Sequence, residues 1–137
     1  MIGYGMTGTA GFQPRGRVLV VEDEFLIRHC LCEQLCEHGY EVLAAANGDE
    51  AIEVLNQEDV SFVITDVRMP GSIDGLRLAY MLCEDWPEIE VVVVSGHVAQ
   101  KNLPPDVPLV RKPYSIAELV GTMSRLAAQR GERLGSH

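Results

Sequence analysis

No apolar run in this 137-residue chain approaches the ~18 residues needed to cross a bilayer. Residues 1–16 are rich in Gly and Thr and lack the charged-then-apolar order of a secretory leader. A membrane-spanning helix is thereby excluded, and a cytoplasmic location is expected. Basic residues are also scarce, 11 Lys and Arg against 20 Asp and Glu, for a net charge of −9. That balance excludes a nonspecific nucleic-acid binder, which needs a basic face. It suits a protein that gathers carboxylates around a cation or docks on a basic partner. The four cysteines, Cys30, Cys32, Cys36 and Cys83, include no CxxC pair. They read as small, mostly apolar side chains rather than as metal ligands or a redox couple. Repeats and low-complexity segments are missing as well.

What is present is alternation. Short apolar, β-branched runs at Arg17–Val21, Glu41–Ala45, Val60–Asp66, Glu90–Val94 and Pro108–Arg111 read as five strands. Val91 to Val94 is apolar on both faces, as a central parallel strand is. Between the runs, segments at helical spacing cover Phe25–His38, Asn47 onward with Glu50 three residues later, and Asp74–Asp85. A last helix starts after Ser115 and carries Ile116, Leu119, Val120, Met123 and Leu126. Between Val98 and Pro104-Pro105 there is room for only one or two helical turns. Strands alternating with helices predict an α/β fold, a doubly wound five-stranded parallel sheet with a shortened fourth helix. The expected organisation is a flexible tail over 1–16, one domain over 17–130 and a second tail over 131–137.

Parallel strands deliver the residues after them to one edge of the sheet, where ligands collect in this architecture. Strand one delivers Glu22 and Asp23, strand three Asp66, strand four Ser95 and strand five Lys112. Three carboxylates in one place repel unless a cation lies among them, and hard oxygen donors suit Mg²⁺. With Lys112 as a second positive charge, the site suits transfer of a phosphoryl group to Asp66. Each residue alone has a plainer reading: an acidic first turn, a turn serine, a surface lysine. Their joint arrival at four strand ends favours the functional one.

The motifs Val20-Val21-Glu22-Asp23-Glu24, Thr65-Asp66-Val67-Arg68-Met69-Pro70, Asp74-Gly75, Ser95-Gly96 and Lys112-Pro113 resemble those of response-regulator receiver domains over about residues 17–130. The resemblance implies flavodoxin-like strand order 2-1-3-4-5. It implies that Asp66 accepts phosphate from a histidine kinase or phosphotransfer protein. Mg²⁺ would be held by Asp23, Asp66, Glu22 through water, and the Arg68 carbonyl. Lys112 would pair with Asp66, Ser95 would bond the phosphoryl group, Gly96 would leave it accessible, and the bond before Pro113 would be cis. Arg68 and His97, each two residues past a key position, would tune the lifetime of the phosphate.

Three departures from the family pattern stand out, one of them a Pro70–Gly75 loop one residue longer than is common. Leu109 occupies a place where many receivers carry a Tyr or Phe that moves with the Ser or Thr. The Ser95–Lys112 segment is short and holds three prolines, at 104, 105 and 108. The usual pairing face is therefore expected to be altered, giving a monomer or weak dimer. With no basic helix or helix-turn-helix after Arg130, the chain reads as a stand-alone receiver or a receiver piece of a longer protein. It would be a signalling protein rather than a turnover enzyme, acting through an unknown downstream partner. The alternatives are a phosphorylation-independent binding module on the same scaffold, a dehalogenase-like phosphohydrolase, and a nucleotide carrier. The phosphohydrolase needs an Asp where Arg68 stands, and the carrier needs a Gly-rich loop that is missing after strand one.

Overall fold

The computed structural model describes residues 2–4, 15–98 and 100–135, with side chains over 15–98 and 100–132. The elements run β1 (Ile2–Tyr4), β2 (Arg17–Val21), α1 (Phe25–Glu37), β3 (Glu41–Ala45) and α2 (Gly48–Gln57). They continue through β4 (Phe62–Asp66), α3 (Gly75–Asp85), β5 (Glu90–Ser95), a 3₁₀ turn at Gln100–Asn102, β6 (Leu109–Arg111) and α4 (Ile116–Gly135). The sheet order is β1-β3-β2-β4-β5-β6. Its five parallel strands, β2 to β6, have the order 2-1-3-4-5.

Period-two alternation sorts the strand residues into two cores. Leu19, Val21, Leu43, Val63, Val91 and Val93 face α2 and α3. Val18, Val20, Val42, Ile64, Val92 and Val94 face α1 and α4, where Leu31, Leu35, Leu119 and Met123 meet them. β2, β3, β4 and β5 are apolar on both sides because each side is covered by helices. The helix starts follow from side-chain caps: Asn47 accepts the Glu50 N–H at 2.9 Å, Asp74 the Arg77 N–H at 2.8 Å and Ser115 the Glu118 N–H at 3.1 Å.

Two expectations change, and the shortened fourth helix is found as expected. Ile2–Tyr4, placed in the flexible tail, forms an antiparallel strand on β3, with Ile2 opposite Ala44 and Tyr4 opposite Val42. Three residues carry too little pattern to announce a strand. The exposed backbone edge of β3, forty residues away, decides it. Residues 5–14 of that tail lie outside the described residues. At the other end, α4 runs through 131–135 rather than stopping at 130, and 136–137 lie outside the described residues. The shortened fourth helix is reduced to the 3₁₀ turn. Leu103 and Val107 fill the space beside it as buried residues, and Tyr80 of α3 ties it down by donating to the Asn102 carbonyl at 3.0 Å. Among the described residues no helix is long and apolar enough to cross a membrane.

Gly75 fixes the loop above the β4 end. Its N–H donates to the Val67 carbonyl at 2.9 Å, and a Cβ at this position would lie 1.7 Å from the Asp66 carbonyl oxygen. Gly121, inside α4, has nothing within 4 Å of a Cβ placed the same way. Urea unfolding of two variants separates these cases. Gly75→Ala is expected to lose on the order of 3 kcal/mol, because backbone must move. Gly121→Ala is expected to gain roughly 0.5–1 kcal/mol from helix propensity. Similar effects for both would contradict the close approach.

Candidate phosphoacceptor site

The register of the sheet brings the expected residues together. Val21 pairs with Thr65, Asp66 with Val94 and Ser95 with Arg111, so the ends of β2, β4, β5 and β6 form one rim. Asp66 stands at its centre. Lys112 Nζ donates to its Oδ2 at 2.5 Å, and the Arg68 N–H donates to its Oδ1 at 3.1 Å. The Asp66 side chain is only 15% exposed and that of Lys112 36% exposed, so the pair is partly shielded from water.

Glu22 lies behind this pair and is buried, with its Oε2 left without a hydrogen-bond partner among the described residues. Its carboxyl is pushed from about 4.5 up to about 7, first by burial, then by the adjacent Asp23 side chain and by the charge of Asp66. Lys112 feels burial pulling its pKa down, but its hydrogen bond to Asp66 and the charges of Asp66 and Glu22 raise it on balance. The ammonium is thus firmly charged. A small cavity of about 20 Å³ lies between Glu22, Asp66, Lys112, Tyr114, Ile64 and Val94, room for about one water. Asp23 is exposed and, with Arg68, Met69, Pro70 and Asp74, lines an open cleft in front of the β4 end.

Ser95 is buried, and its hydroxyl oxygen accepts the N–H groups of His97 at 3.1 Å and Val98 at 3.3 Å. Those bonds use its acceptor capacity, and no acceptor for its own proton is found among the described residues. Gly96 is exposed, and a Cβ there would come no closer than 3.9 Å to Lys112. Space therefore does not require glycine at this position. The Lys112–Pro113 peptide bond is cis, as expected. Arg68 and His97 are both exposed at the rim.

The structure adds two residues that pattern did not reveal. Arg28 of α1 donates to the Glu22 carbonyl at 2.8 Å and to the Asp23 carbonyl at 3.3 Å, pinning the acidic turn. Its signal was an arginine one helical turn into the helix that follows the acids. Tyr114, packed against the α1–α4 core, closes the back of the cavity, and burial raises its hydroxyl pKa.

Among the described residues no three His, Cys, Asp or Glu side chains converge tightly enough to hold an ion by themselves. The donor set still fits a hard divalent cation that keeps several waters and takes only one or two carboxylates. An unpartnered buried carboxylate oxygen beside two further acids is the observation that supports the fit. Asp23, Asp66 and the Arg68 carbonyl would hold such an ion, with Glu22 reaching it through water.

The profile of the response regulator receiver domain matches residues 18–105. The chain belongs to the receiver family. Its match ends at Pro105, inside the segment that replaces the fourth helix. CpdR, a response regulator receiver protein of Brucella abortus (strain 2308), is 30% identical over 115 residues, covering 80% of this chain and 95% of that protein. The sensor kinase CckA of the same organism is 35% identical over 116 residues, 80% of this chain and 12% of CckA. Among solved structures, a receiver protein from Sinorhizobium medicae WSM419 superimposes with a TM-score of 0.74 at 31% identity, over 80% of this chain and 92% of that one. The chain spans only 24% and 17% of the NtrX-like regulators of Rickettsia conorii and Rickettsia felis.

The raised carboxyl of Glu22 gives a pH dependence with a definite sign. In the unfolded chain this carboxyl ionises near 4.5 and in the folded one near 7. Folding therefore holds its proton, and the stability this contributes is lost as pH rises through 7. Measured by urea midpoints in chelator, Glu22→Gln should gain on wild type between about pH 4.5 and pH 8, by roughly 3 kcal/mol. A difference between the two proteins that does not change with pH would contradict the crowding of the acids.

Proposed function

We propose that this receiver takes a phosphoryl group onto Asp66 from the phosphohistidine of a histidine kinase or phosphotransfer protein, with Mg²⁺. The observation that carries the reading is the Asp66 carboxylate bonded to Lys112 Nζ, with Glu22 and Asp23 beside it on the same rim. A carboxylate oxygen of Asp66 forms the new bond to phosphorus, the phosphorus–nitrogen bond of the donor breaks, and the released imidazole takes up a proton. Mg²⁺, when bound, supplies charge neutralisation for the phosphoryl oxygens and the carboxylates. Lys112 then leaves the carboxylate for a phosphoryl oxygen, and the unspent proton of Ser95 donates to another. Ser95 holds the turn at His97 and Val98, so a move of its hydroxyl shifts the backbone of that loop. With Leu109 at the usual aromatic position, this loop is the element that reports the phosphoryl group to a partner. Signalling is by phosphorylation-dependent binding of another protein, in the cytoplasm, by a monomer or weak dimer. The domain catalyses its own phosphorylation and dephosphorylation and turns over no separate substrate. The similarity to a part of CckA supports a sensor kinase as the phosphate source.

Intact mass after incubation with Mg²⁺ and acetyl phosphate tests this. One added phosphoryl group is expected in wild type, none in Asp66→Asn, and none in chelator. Tracked over time, Arg68→Ala and His97→Ala should lose the group at rates different from wild type, because both side chains stand where water must approach. No mass gain in wild type would turn the reading to a phosphorylation-independent docking module.

A further inference from the structure

A buried carboxylate oxygen needs a hydrogen-bond donor, and Glu22 Oε2 finds none in the protein among the described residues. Glu22 is 5% exposed, so bulk solvent does not supply one either. The residue lines the cavity of about 20 Å³ behind Asp66. That volume suits one water and nothing larger, and a water held there needs about two to four polar partners. The lining provides them. Lys112 Nζ carries three N–H groups and gives one to Asp66 Oδ2, Tyr114 brings a hydroxyl, and Glu22 Oε2 accepts. The other lining side chains, from β2, β4, β5 and α1, are apolar. They shut the polar groups in together and leave them only one another and the cavity.

Tyr114 is the member of this set that the phosphoacceptor reading does not use. It stands two residues beyond Lys112, on the turn between β6 and α4, and its ring packs against the α1–α4 core. Its hydroxyl lies in the field of Lys112, Glu22 and Asp66, the charged groups of the cavity. Burial keeps the phenol protonated, so it is a donor. No hydrogen bond from that hydroxyl to the protein is found among the described residues. A water in the cavity accepts from the phenol and from the ammonium and has protons to give to the carboxylate. Core packing explains an aromatic ring at this position, and a phenylalanine would do as well. It does not explain a hydroxyl beside an unpartnered carboxylate.

We propose that Tyr114 is a positioning residue of the acidic rim: together with Lys112 it holds one water in this cavity, and that water donates to Glu22 Oε2. The inner side of the carboxylate is thereby satisfied, while its contact with Asp23 faces the open cleft where a cation would lie. The role given to Tyr114 rests on the cation-binding rim proposed above.

Tyr114→Phe keeps the ring and removes the hydroxyl, so it separates this role from packing. A high-resolution crystal structure of the wild-type protein in chelator should show a water within hydrogen-bond distance of Glu22 Oε2 and Tyr114 Oη. In urea unfolding, again in chelator, Tyr114→Phe should raise the unfolding constant about fivefold. In a Glu22→Met background it should leave that constant unchanged, because no carboxylate remains for the water to serve. Calorimetric titration with magnesium chloride should show Tyr114→Phe binding the ion roughly tenfold more weakly than wild type, as when a group that orients a metal ligand is removed. Additive effects of the two substitutions, equal magnesium affinity of Tyr114→Phe and wild type, or a dry cavity would overturn the proposal. A wild-type protein that binds no magnesium would overturn the cation site itself. Additivity in chelator with magnesium binding intact would remove only the role of Tyr114.

Discussion

One ammonium set among three carboxylates is the constraint on which the rim of this protein depends. Asp66 closes the central strand β4, and Glu22 and Asp23 come directly after its neighbour β2, so the sheet itself forces acids together. Burial makes that costly, which is why Glu22 holds its proton up to about 7. Lys112 offsets the crowding from the far side of β5. Its position depends on β6, a three-residue strand fastened through the Val93–Pro108 and Lys112–Ser95 backbone bonds. The charge balance at the rim is therefore tied to the part of the fold where this chain departs most from its family.

That departure has a physical solution. A segment too short for a helix still has to cover the apolar face of β5. Leu103 and Val107 do this from within a proline-rich loop, and prolines at 104, 105 and 108 limit the conformations the loop can lose on folding. Tyr80 and Gln100 then supply the hydrogen bonds that helix backbone would otherwise have made internally. Gln100 is also only five residues beyond Ser95, so the loop at the Asp66 rim and the 3₁₀ turn beside β6 are one continuous piece of chain.

Most of the fold was legible because burial on both faces leaves continuous apolar runs. Arg17–Val21 and Glu41–Ala45 have the bounds their patterns suggested, and β4 differs only in its start. The rim residues were legible for a topological reason: in a parallel sheet, the residues just beyond each strand all arrive at the same edge. The features that escaped depend on partners far along the chain. Ile2–Tyr4 becomes a strand because β3 has a free edge. Arg28 acts on main-chain carbonyls, and an arginine one turn into the helix after the acids does not by itself say which groups it binds. Gln100 is one polar residue in a loop of the sequence, and only its bonds to the Val107 carbonyl and the Leu109 N–H show what it holds.

The division of charge at the rim can be measured directly through the stability lost in Lys112→Met, by urea unfolding once in chelator and once in saturating magnesium chloride. If the ammonium and a bound dication neutralise the same carboxylates, the loss is large in chelator and much smaller with magnesium present. Equal losses in the two conditions would contradict a shared acidic site and leave Lys112–Asp66 as an ordinary ion pair.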